Sequence, residues 1–194
     1  MDSVFGIRGK DFVIIVAETT INHSVFKLRT QFDKTIDLTK SCVAVLAGDH
    51  ADRSNFGSFI KRNIDYSRFK NGIDLTVNET ANFMRTKLAE ALRKQPYQVH
   101  TLIGGVDNEG PQLYWIDYMG TLSEVPYGAH GYASYFVSSV FSNFWKPDLD
   151  KTEAMKLVEL AIKELKARFI IAQDNFVVKI IERDVITVVK LENK

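Results

Sequence analysis

The chain has 194 residues, 45% apolar and 25% charged, with a formal net charge of +1. That length suits one domain, residues 1–194, and the proportions are those of an ordinary globular protein rather than a disordered or fibrous one. Near-zero charge with scattered Lys and Arg argues against a nucleic-acid-binding or membrane-surface protein.

The first part of the chain reads as strands at residues 4–8, 12–18, 34–38 and 42–47. Two of these, residues 12–18 and 42–47, are continuous apolar runs, which predicts burial on both faces. The lone cysteine, Cys42, lies in the second run; it has no partner for an internal disulfide, so a reducing compartment is expected, and a mid-strand thiol is expected to be inert. No apolar run approaches the roughly 18 residues of a membrane span, and no secretory leader pattern opens the chain, so a soluble intracellular protein is expected.

Two helices are predicted next. Phe56, Phe59, Ile60 and Ile64 recur at helical spacing with Gly72 as the stop, and Thr76-Val77-Asn78-Glu79 is a capping box opening a helix that runs to Pro96. Strands return at residues 97–106 and 112–118, joined by the turn residues 107–111. A second helical pair follows, one through Tyr132, Phe136, Val140 and Phe144, the other through Met155, Val158, Ile162 and Leu165. A hairpin at residues 176–181 and 185–191, with its turn at 182–184, closes the chain. Two blocks of helices around antiparallel strands predict an α+β fold, a four-layer αββα sandwich with two sheets face to face and a helix layer outside each.

Certain stretches narrow this further. They are Asp11-Phe12-Val13-Ile14-Ile15-Val16-Ala17-Glu18-Thr19, Lys34-Thr35-Ile36, Ala47-Gly48-Asp49-His50-Ala51-Asp52, Leu102-Ile103-Gly104-Gly105-Val106-Asp107, Leu113-Tyr114-Trp115-Ile116-Asp117-Tyr118-Met119-Gly120, and Ala129-His130-Gly131-Tyr132-Ala133. In this order and over essentially the whole chain, they resemble the β-subunits of the 20S proteasome, which have the αββα fold of the N-terminal nucleophile hydrolases. The opening Met-Asp-x-Val-Phe-Gly-Ile-Arg, residues 95–99 and residues 125–132 look most like the members at the fourth β position.

Active members of that family present a mature N-terminal threonine, whose hydroxyl attacks while its own α-amine, with a pKa near 8, serves as base. Aligned without gaps back from Glu18, the nucleophile position falls on Asp2, and no propeptide ending in Gly-Thr precedes it. By the same resemblance, Lys34 matches the lysine beside the nucleophile, Glu18 the aspartate that orients it, and Gly48 the glycine whose N–H forms the oxyanion hole, worth about 3 kcal/mol when chemistry occurs. Each also has a purely structural reading: a lysine bonded to nearby backbone, a structural ion pair, and a tight strand-to-helix turn. His130 stands where active members have a serine, and the stretch from Arg168 to Ala172 lacks their aspartate and serine.

Other candidates carry less. Asp49, His50 and Asp52 could be metal ligands, but acids at a helix start are ordinarily caps. His23, His100 and His130 lack ligand spacing. Gly104-Gly105 lacks a nucleotide-binding pattern and marks a bulge or a close backbone contact. Thr19 and Thr20 read as turn hydroxyls.

The resemblance therefore implies a non-catalytic member of the β ring, enclosing the chamber for ubiquitin-dependent and other intracellular protein degradation in cytoplasm and nucleus. Its partners would be α- and β-type subunits in a twenty-eight-subunit stack of four seven-membered rings, with regulatory particles reached indirectly. No cofactor, metal, nucleic acid or membrane is expected. Six aromatics, Tyr132, Tyr135, Phe136, Phe141, Phe144 and Trp145, exceed what one helix needs for its core side, so part of this set is expected at a subunit interface. The alternative is an active hydrolase of the same fold, processed to expose Ser3.

Overall fold

A computed structural model describes residues 2–23 and 26–191, apart from the side chain of His23, so the expectation for that histidine lies outside the described residues. The strands are β1 (Ser3–Arg8), β2 (Val13–Glu18), β3 (Ile21–His23), β4 (Phe26–Arg29), β5 (Thr35–Thr39) and β6 (Cys42–Gly48), then β7 (Val99–Asp107), β8 (Gly110–Ile116), β9 (Leu122–Glu124), β10 (Tyr127–Gly131), β11 (Phe176–Glu182) and β12 (Val185–Leu191). The helices are α1 (His50–Asn71), α2 (Val77–Leu92), α3 (Ser134–Phe144) and α4 (Lys151–Arg168).

Two five-stranded sheets form, in the orders β10-β1-β2-β11-β12 and β5-β6-β7-β8-β9, with antiparallel pairing throughout. Strand β2 shows why its sequence is apolar without alternation. Successive side chains point to opposite faces. Ile14 and Val16 join Phe5, Val137, Phe141, Val158 and Leu165 under α3 and α4, while Val13, Ile15 and Ala17 meet Val43, Val45 and Leu102 between the sheets. Strand β6 does the same from the other side, sending Ala44 and Leu46 to Phe56, Ile60, Met84 and Leu88 of α1 and α2. The predicted αββα sandwich is the structure found.

The helix signals correspond to real caps. Asp49 caps α1 through bonds from the N–H groups of Ala51 and Asp52, Gly72 ends it in the left-handed region, and Thr76 and Glu79 close a capping box on α2. Helix α2 stops at Leu92, before the predicted limit at Pro96. Two hairpins are tighter than expected: Asp107 pairs directly with Gly110, and Glu182 with Val185. Gly104 and Gly105 lie in unbroken register with β6, so they mark close contact rather than a bulge. A Cβ on Gly104 would come within 2.6 Å of Val13 Cγ1, so this glycine sets how closely the sheets approach.

Strands β3, β4, β9 and β10 are additions to the sequence reading. The β3–β4 hairpin is short, with a register shift at Ile21/Asn22 and every side chain of β4 exposed, so no buried face marks it in the sequence. Strand β10 contains two glycines and exists because it pairs with β1, from Ser3↔Gly131 to Ile7↔Tyr127.

Candidate functional site

At the N-terminal end of β1, the topology brings together the ends of four further segments. Asp2 precedes β1, Glu18 ends β2, Lys34 precedes β5, Gly48 ends β6 and Arg53 lies in the first turn of α1. Pairing of β1 with β2, Val4 opposite Ala17, puts Asp2 alongside the end at which Glu18 emerges. The Asp2 backbone is fixed from the other side, where its carbonyl accepts from Tyr132 N–H at 3.1 Å.

The side chains form one ionic cluster. Lys34 Nζ lies 2.8 Å from Asp2 Oδ1 and 2.7 Å from Glu18 Oε2, and Arg53 Nη1 lies 3.0 Å from Asp2 Oδ1. The second Asp2 oxygen accepts from Gly48 N–H at 2.9 Å, and the second Glu18 oxygen from Thr20 N–H at 2.6 Å. Gly48 is held at φ 138°, and a Cβ there would lie 2.0 Å from Gln98 O. Glycine is therefore required to aim this N–H, in keeping with the turn expected there.

Two carboxylates and two cations balance, and they are almost wholly out of water: the Lys34 and Glu18 side chains are 0% exposed, Arg53 7% and Asp2 10%. Burial works against ionising Asp2, but the charges of Lys34 and Arg53 and the Gly48 N–H outweigh it and hold the carboxyl below its ordinary range. An acid kept ionised, with both oxygens engaged, is poorly suited to take a proton near neutrality. Lys34 is anchored by carboxylates, not by the backbone bonds of its structural reading. A pocket of about 160 Å³ lies beside the cluster, bounded by Phe32, Lys34, Ile36, Leu46, His50 and Arg53.

His130 is engaged elsewhere. Its ring stacks on Trp115 at 4.7 Å, lies 5.1 Å from the His100 ring and bonds through Nε2 with Thr101 O at 3.0 Å. Burial, and then the neighbouring His100, depress its pKa to about 4, against the opposing pull of the Thr101 carbonyl and Asp117. Burial also lowers His100, whose Nδ1 has no hydrogen-bond partner among the described residues. This is a neutral aromatic cluster between the sheets.

The other candidates resolve individually. Ser3, next to Asp2 and therefore on the opposite face, is fully buried, with its hydroxyl accepting from Gln173 Nε2 at 2.9 Å. Arg168 pairs with Glu164 at 2.6 Å on α4. Asp49 caps α1 and Asp52 accepts from Gln98 N–H, and among the described residues no group of three or more His, Cys, Asp or Glu side chains is arranged to hold a metal ion. Cys42 is buried, its thiol pushed up to about 12 by burial and by Asp107. Thr19 is more than a turn hydroxyl: its O–H donates to Thr30 O at 2.8 Å and its N–H to Asn175 O at 3.1 Å, tying two distant segments. No described helix is long and apolar enough to cross a membrane.

Sequence reasoning missed Arg53. The available signal was its place at i−3 from Phe56 and i−7 from Ile60, on the buried stripe of α1, where an arginine implies an acidic partner.

Residues 2–181 match the family described as proteasome subunit. The chain is 40% identical over 185 residues to proteasome subunit beta type-2-A of Arabidopsis thaliana, covering 95% of this chain and 91% of the relative. It is 34% identical over 187 residues to proteasome subunit beta type-4 of Saccharomyces cerevisiae, covering 95% and 94%. It is 32% identical over 176 residues to proteasome subunit beta type-2 of Dictyostelium discoideum, covering 89% of each.

Proposed function

The chain belongs to the proteasome β-subunit family, and we propose that it is a non-catalytic member of the β ring, a single β-type domain that helps to enclose the chamber where neighbouring subunits cleave proteins. The observation that carries this reading is the state of residue 2. At the position that the resemblance assigns to the attacking hydroxyl stands a carboxylate gripped by Lys34, Arg53 and the Gly48 N–H. The donor that would stabilise an oxyanion is thus already bonded to an anion of the chain itself. Glu18, Lys34 and Gly48 keep the scaffold of the site, and His130 and the segment after Arg168 lack groups that active members use.

Exposed apolar side chains on separate elements support a role among many neighbours. On α3 and the turn before it, Tyr132, Tyr135 and Phe144 are exposed, whereas Phe141 is buried and Phe136 and Trp145 are half-buried. Tyr66 and Phe69 are exposed near the end of α1, Ile73 just past its cap, and Phe26 and Leu28 on β4. A ring member with two lateral neighbours, an α-subunit and an opposite β ring uses several faces at once. In this reading the assembly is the stack of four seven-membered rings, working in cytoplasm and nucleus.

Ser3 as an alternative nucleophile meets two obstacles: its hydroxyl is buried against Gln173 and points away from Lys34 and Gly48. The assembly is tested by isolating the native complex through a tag on this chain and identifying its components by mass spectrometry. Co-purification with a full set of other α- and β-type subunits is expected. A small single species, or an assembly of this chain alone, would refute it.

A further inference from the structure

We infer that the cluster around residue 2 is a buried anion receptor whose resident ligand is the chain's own Asp2 carboxylate, and that it accepts a small free carboxylate when that side chain is removed. The receptor is built from three segments. Lys34 Nζ and Arg53 Nη1 both approach Asp2 Oδ1, at 2.8 and 3.0 Å, and Gly48 N–H reaches Oδ2 at 2.9 Å. Both cationic side chains are more than nine-tenths buried. Neither is available to solvent counter-ions while the native strand is in place.

Charge balance shows why the site demands an anion. Glu18 is committed to Lys34 and to Thr20 N–H, which neutralises one cation; Arg53 touches the neighbouring ring at His50 Nδ1, 2.9 Å away, but among the described residues its counter-charge is Asp2. Removing the Asp2 carboxyl leaves a buried guanidinium without its counter-charge and the Gly48 N–H without its acceptor, the costly condition for polar groups out of water. The fixed donors span two oxygens of one planar group, so a free carboxylate of matching size satisfies them. Formate fits the space of a deleted carboxyl group better than acetate does. In the native chain the tethered carboxylate joins β1 to the end of β6 and the first turn of α1 across the sandwich. This inference concerns binding and stability, so it stands or falls separately from the ring assignment and from the absence of hydrolysis.

The test is thermal unfolding of the full chain and its Asp2→Ala variant in sodium formate, sodium acetate and sodium chloride at equal ionic strength. Asp2→Ala is expected to melt on the order of 10 °C below the parent in chloride. Formate at about 100 mM is expected to raise it by roughly 3 °C or more, acetate by less, with no such difference in the parent. The double variant Asp2→Ala/Arg53→Met is expected to lose the response to formate. Where Asp2→Ala does not stay folded in chloride, the soluble yield on refolding in formate against chloride reads the same effect. Formate acting no better than chloride, an equal gain in the parent, or a response retained by the double variant would each overturn the inference.

Discussion

Among the described residues, the buried polar clusters around Asp2 and around His130 keep opposite electrical states. Around Asp2 the side chains are ionised, because two carboxylates, a lysine and an arginine sit within ion-pair distance and satisfy one another. Around His130 they are neutral, because Trp115 and His100 supply aromatic contact and the pull of Asp117 is too weak to offset burial. By resemblance, both occupy positions where an active relative has catalytic groups. In the proposed reading these are two ways of refilling such positions without chemistry: one balances charge, the other removes it.

The strongest way to break the contrast is to delete the shared cation. Lys34→Ala leaves Glu18 fully buried without its counter-charge and Asp2 with one cation, Arg53, beside the Gly48 N–H. A loss of about 3–5 kcal/mol in unfolding free energy is expected, measured by denaturant titration at neutral pH. A loss below about 1 kcal/mol would mean that the cluster is not held by its charges.

Acidification sharpens the contrast next. His130 has a folded pKa near 4, below the ordinary value of 6.5. Its neutral form therefore favours the native state above that ordinary value, and the advantage is lost as pH falls from about 6.5 through about 4. That loss amounts to roughly 3 kcal/mol, part of it already gone at pH 5. Asp2 behaves differently: its lowered pKa contributes stability above the ordinary value of 3.8, lost only as pH falls further. His130→Gln should flatten the dependence between pH 6.5 and 4, leaving the share of His100, while Asp2 acts mainly below that window. An unchanged slope in the variant would show that another group carries the transition.

The smallest effect belongs to an exposed pair. Arg8 and Glu124 lie 2.6 Å apart but remain 31% and 50% exposed. Arg8→Ala should cost under about 1 kcal/mol and less still at high salt. A cost matching that of Lys34→Ala would mean that burial does not set the strength of these pairs.

Different physical signals decided what the sequence made legible. The double-faced apolar runs at β2 and β6 foretold two sheets covered by helices, and the capping residues Asp49, Thr76 and Glu79 foretold where α1 and α2 begin. Asp2, Glu18, Lys34 and Gly48 were assigned by the family resemblance, and the fold brings those four together. Arg53 was marked by its place on the buried stripe of α1, but its partner Asp2 appears only once α1 is laid against the end of β6. The environment of His130 was equally hidden, since Trp115, His100 and Thr101 reach it from the facing sheet. Strands β3, β4, β9 and β10 are short, and their pairing partners supply what their own residues do not encode.

The central claim is that residue 2 keeps its carboxylate and that no nucleophile of this chain reacts in the assembly. Its most direct test is intact-mass analysis of every subunit in the native complex after treatment with an electrophile that captures N-terminal nucleophiles. Catalytic neighbours should gain the mass of the adduct, while this chain should retain Asp2 and remain unmodified. A chain beginning at Ser3, or an adduct on this subunit, would contradict the claim.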